Sequence, residues 1–175
     1  MSPVAATIAA KIRQQRQRLA KKPVPQLSQI DLRCAIHECG HLFACLCYGF
    51  QIDRVTLSAR NVVENVSGPG RISAVYDFAK PMECAAVAFA GEVAEQMTFG
   101  DTLSSLGSED WNLFRRAMRY VTSPTHRECE AIARMMAADV VRTNLAAIRQ
   151  VAGVLLARGE LTGADIRRLI SVEAS

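Results

Sequence analysis

The amino-acid sequence predicts a mainly α fold with a small β-sheet, of the α+β class. Apolar residues recur at helical spacing over about 29–48, 82–98 and 124–157. Only "QIDRVTLSAR" (51–60) and "RISAVYDF" (71–78) alternate with β-branched residues as strands do, so this is the only expected β region. With 175 residues, half of them hydrophobic and 22% charged, the chain can bury one core and is too apolar to stay disordered.

Residues 4–22 read as a basic helix that stops at "KKPVPQ", where Pro23 and Pro25 make a stiff linker. A boundary is therefore expected between an arm, 1–27, and a domain, 28–175. "SQID" has the form of a capping box, which starts a helix at about Gln29 that should end at Tyr48 before Gly49. The Gly- and Asn-rich "NVVENVSGPG" separates the two strands. Helices are then expected over about 82–98, 109–121 and 124–157. A short last one follows "LTGAD", with Thr162 and Asp165 as a second capping pair.

The net charge is +4, yet residues 1–30 hold six basic side chains and no acid. Such an arm reads first as a solvated helix; it could also dock a partner protein or an unfoldase, while nucleic acid is not the expected partner. Its Arg-rich, acid-free start also has the character of an organelle-targeting segment. The apolar runs, such as "CAAVAFAG" (84–91), are too short to span a bilayer, and no secretory leader is recognisable. A soluble protein of a reducing, cytoplasmic compartment is expected. Four of the six cysteines (Cys34, Cys39, Cys45, Cys47) fall on one expected helix, where pairing geometry is poor, so reduced thiols are expected.

The first domain helix carries "HECGH". On a helix, His37 and His41 lie on one face a turn apart and can aim two imidazole nitrogens at one ion. Glu38 sits about 100° further round. There it can take a proton from a water that the metal has acidified. A catalytic zinc, one per chain, wants a third protein ligand and an open position. Glu92, Glu95, Glu109, Asp110 and His126 are all candidates, and spacing alone leaves them open. His126 follows a Ser-Pro helix start and reads as a surface residue, and Trp111 as a packing anchor.

"HECGHLFACLCYGFQIDRVTLSAR" (37–60) resembles the HEAGHA…LG…V..VTI.PR opening of the zinc metallopeptidase domain of FtsH-type membrane AAA proteases. "AFAGEVAEQMTFG" (88–100) is similar to that family's GGR.AEE..FG helix, and "LLARGELTGADIRRLI" (155–170) to its closing segment. The likeness spans about residues 28–172. It implies a zincin-like metalloendopeptidase in which His37 and His41 bind zinc and Glu38 is the base. The family's third ligand is an Asp after the FG turn, which corresponds here to Asp110, with Glu109 in reserve. Glu95 is implied to orient the site. In the family that Asp follows its glycine by four positions, whereas Asp110 follows Gly107 by three.

No GxxxxGK[ST] phosphate loop occurs in these residues. The expected activity is therefore ATP-independent hydrolysis of peptide bonds in unfolded or flexible protein segments. The substrate would lie along an edge of the small sheet, either "VTLSA" or "RISAVY". Two alternatives are a regulatory peptidase specific for one partner protein, and a non-hydrolytic adaptor or assembly regulator. A homo-oligomer is compatible with all three.

Overall fold

The computed structural model describes residues 29–57, 70–102, 108–122 and 125–170. In chain order these form α1 (Gln29–Tyr48), β1 (Gln51–Leu57), β2 (Gly70–Val75), α2 (Pro81–Phe99), α3 (Ser108–Met118), α4 (His126–Arg158), β3 (Glu160–Thr162) and α5 (Gly163–Ile170). The mainly helical α+β class is as expected. The basic arm and Ser28 of the first capping box lie outside the described residues.

α1, α2 and α4 pack against one another. Helix α2 begins with Pro81 in its first turn, where the missing N–H costs nothing, and is buried continuously from Cys84 to Gly91. Its small residues, Ala85, Ala86, Ala88 and Ala90, leave neighbouring helices room on every side. α4 turns a stripe of Cys129, Ala133, Ala137, Val141, Ile148, Ala152 and Leu155 inward at helical spacing. Its N-cap is Thr125, whose hydroxyl accepts from Glu128 N while Glu128 bonds back to Thr125 N. That capping box, rather than Pro124, starts the helix. Among the described residues α4 alone is long and apolar enough to cross a membrane, and it lies against α1 and α2.

α1 ends as expected, at Gly49 with φ 75°. Within it Leu42 and Phe43 are almost wholly buried. Burying each contributes about 1.5–3 kcal/mol, so the rotation of α1 is fixed with His41 turned inward. α3 stops at Met118, short of the expected 121. The chain tightens there into i→i−3 bonds, Tyr120 N to Ala117 O at 3.0 Å and Val121 N to Met118 O at 3.3 Å.

The sheet has the order β2-β1-β3 with both pairs antiparallel. Two expectations are corrected here. A third strand exists, where the sequence reading placed none: "ELT" is too short to alternate, and it is a strand because Val55 pairs with Leu161 and Arg54 with Thr162. Val55 and Thr56 of "VTL" are consequently central, since they also pair with Ile72 and Arg71, and β1 offers no edge there. Thr162 ends β3 and caps α5: its hydroxyl donates to Asp165 Oδ2 at 2.6 Å and accepts from Asp165 N at 3.2 Å.

Candidate metal centre

Three side chains from two helices converge. α1 supplies His37 and His41, and Asp110 comes from the first turn of α3. The Nε2 atoms of the two histidines are 3.0 Å apart. Asp110 Oδ2 lies 3.4 Å from His37 Nε2, and Oδ1 3.3 Å from His41 Nε2. A four-coordinate ion bound at about 2.0–2.1 Å holds neighbouring donors roughly 3.3 Å apart. The two Asp110 contacts use different oxygens, but one donor atom from each residue lies within 4.8 Å of the others. A small turn of the Asp110 carboxylate therefore lets the three share one ion and leaves a fourth position for water or substrate.

The other nitrogens of both rings are fixed. His37 Nδ1 donates to Glu95 Oε1 at 2.7 Å, and His41 Nδ1 donates to the Val87 carbonyl at 2.7 Å. Both partners only accept, so each Nδ1 carries the proton and each Nε2 presents a lone pair. Two lone pairs 3.0 Å apart repel unless a cation or a proton lies between them. The donor set thus fits a divalent cation.

Gly91 of α2 makes the approach possible. A Cβ there would stand 2.5 Å from the Nε2 of both histidines. Gly91→Ala is therefore expected to push the imidazoles apart, cost about 1–3 kcal/mol of stability and weaken metal binding, although no donor changes. A thermal melt with and without chelator, beside a metal titration, checks both effects.

Without an ion the site takes up protons. Burial alone would pull the His37 imidazolium down, but hydrogen bonds to Asp110 and Glu95 outweigh it, and the pKa is pushed up to about 10. His41 is also raised: burial opposes the charge, and the Asp110 carboxylate more than offsets it. Asp110 is held well below the usual carboxylate range, because the His41 and His37 charges and hydrogen bonds override its burial. A histidine whose folded value exceeds its unfolded one stabilises fully below about pH 6.5 and loses that contribution as pH rises toward 10. The metal-free chain is therefore expected to lose stability between those limits, read by urea melts in chelator. Metal must displace the same protons, so its apparent affinity should rise with pH.

Glu38 lies beside the trio and is 7% exposed. The first residue of β2 passes directly over it: a Cβ on Gly70 would lie 2.5 Å from Glu38 Cγ. Burial, opposed by the His41 and His37 charges, pushes the Glu38 carboxyl upward. The structure separates the remaining third-ligand candidates from the trio. Glu109 turns away and pairs with Arg71 at 3.6 Å, and Glu92 pairs with Arg134 at 2.9 Å. Glu95 holds His37 from behind. His126 is exposed at the start of α4, and Trp111 stacks on Phe114 with ring centroids 5.2 Å apart.

Sequence reading missed the Val87 carbonyl, Gly91 and Arg33. The first carries no side-chain signal. Arg33, a charge one turn before His37 in a helix with a buried face, could have been found by spacing. No family model matches the chain, and no curated protein matches it.

Proposed function

We propose that the chain is a zinc metalloendopeptidase that hydrolyses flexible protein segments without ATP, and that it is a relative of the FtsH-type peptidase domains. The observation that carries this reading is the convergence of His37, His41 and Asp110 with the buried Glu38 carboxylate beside them. Zinc is the ion assigned, because two imidazoles, one carboxylate and an open fourth position are the donor set of catalytic zinc. When bound there, zinc supplies a Lewis acid that acidifies water and polarises a carbonyl.

The chain's own residues do the rest. His37 and His41 are held in the right tautomer by Glu95 and Val87, so no reorganisation precedes binding. Glu38 accepts the proton of the attacking water as its oxygen bonds to the peptide carbon. It then donates that proton to the amide nitrogen as the C–N bond breaks. The upward push on its carboxyl brings it nearer the range in which one group can both take and return a proton.

β2 supports an extended substrate. Among the described residues only β1 pairs with it, so its other edge offers backbone groups to a peptide strand. Gly70 at its start touches Glu38, and a peptide laid along Gly70–Val75 would pass the base.

The test is cleavage of unfolded casein by the zinc-loaded chain without ATP, with bound zinc measured in the same sample. One zinc per chain and cleavage stopped by chelator are expected. Zinc bound stoichiometrically with no cleavage of any unfolded protein would remove the hydrolytic reading and favour an adaptor.

A further inference from the structure

We propose that Arg33 is a positioning residue of the metal centre, acting through Glu95 on His37; this rests on the metal-binding reading above. Arg33 lies on α1 one turn before His37, and it is 8% exposed. Its Nη2 donates to Asp101 Oδ1 at 2.5 Å, and its guanidinium carbon stands 4.5 Å from the centre of the Phe99 ring. Its Nη1 is buried without a hydrogen-bond partner among the described residues, 3.9 Å from Glu95 Oε2.

A guanidinium buried with an orphan donor is a poor stabilising device, since desolvating the charge and the N–H costs more than one outer ion pair returns. Its placement does explain how Glu95 is divided. Oε1 accepts from His37 Nδ1, while Oε2 faces the positive charge of Arg33. Attraction on one oxygen limits rotation of the carboxylate and keeps the other on the imidazole. The same guanidinium holds Asp101, at the start of the connection that leads from α2 to Asp110 on α3.

The alternative is that Arg33 merely covers the end of α2. Zinc affinity by chelator competition and the visible spectrum of the cobalt(II)-loaded chain separate the two. Arg33→Met is expected to weaken zinc by about 10- to 100-fold and to alter the cobalt bands. Arg33→Lys should recover part of the loss. Adding Arg33→Met to Glu95→Gln should weaken zinc no further than Glu95→Gln alone, because the effect passes through Glu95.

Native zinc affinity and spectrum in Arg33→Met, or losses that add with Glu95→Gln, would overturn the proposal. Should Arg33→Met fail to fold, Asp101→Asn decides: the Asp101 side chain is 68% exposed, so the fold should survive. Severalfold weaker zinc in that variant supports the relay, and unchanged zinc overturns it. If the native chain binds no zinc at all, the metal centre and this role fall together. Native binding with intact variants removes the role of Arg33 alone.

Discussion

Glu38→Gln is expected to slow peptide-bond hydrolysis by about 10²- to 10⁴-fold while leaving zinc content unchanged. The amide matches the carboxyl in volume, so the close contact with Gly70 survives. It cannot accept the proton of the attacking water, and that function alone is removed. Zinc stays because Glu38 is not one of the three converging donors. Rates on a quenched fluorescent peptide, beside metal analysis of the same preparation, check both halves. A variant that cleaves as fast as the native chain would show that Glu38 is not the base.

The second large effect is expected at the ligands, and it should separate them by burial. His41→Ala should abolish zinc binding and hydrolysis together. It also empties an imidazole-sized space in a site only 3% exposed, at a cost of about 2–4 kcal/mol. Asp110→Ala should lose zinc too but leave the core filled, since Asp110 lies on the more exposed α3. In chelator, then, His41→Ala should melt well below Asp110→Ala. Equal melting temperatures would contradict the buried packing role of the His41 ring. Full zinc retention in Asp110→Ala would transfer the third-ligand role elsewhere.

Helical spacing revealed α1, α2 and α4 because each buries a long face, and the His37–His41 pair because its geometry is local to one helix. What lay beyond reach is non-local. The strand "ELT" owes its conformation to β1, not to its own three residues. The choice of Asp110 over Glu109, adjacent on the same first turn, depends on the direction in which α3 meets α2 and the sheet, and one residue of rotation separates a ligand from a surface ion pair. Gly91 was legible only as a small residue in a small-residue helix; its purpose appears once α1 lies across it.

His37 and Asp110 are 73 positions apart. In an unfolded chain, closing a loop of that length costs about 4 kcal/mol of chain entropy before any donor can be shared. The disordered chain therefore offers an ion little beyond single imidazoles and carboxylates. Nearly all the free energy of capture falls on the folded form, as RT ln(1 + [zinc]/Kd). The melting temperature of this domain should accordingly climb with free zinc, and the folded fraction becomes a reading of how much metal its surroundings supply.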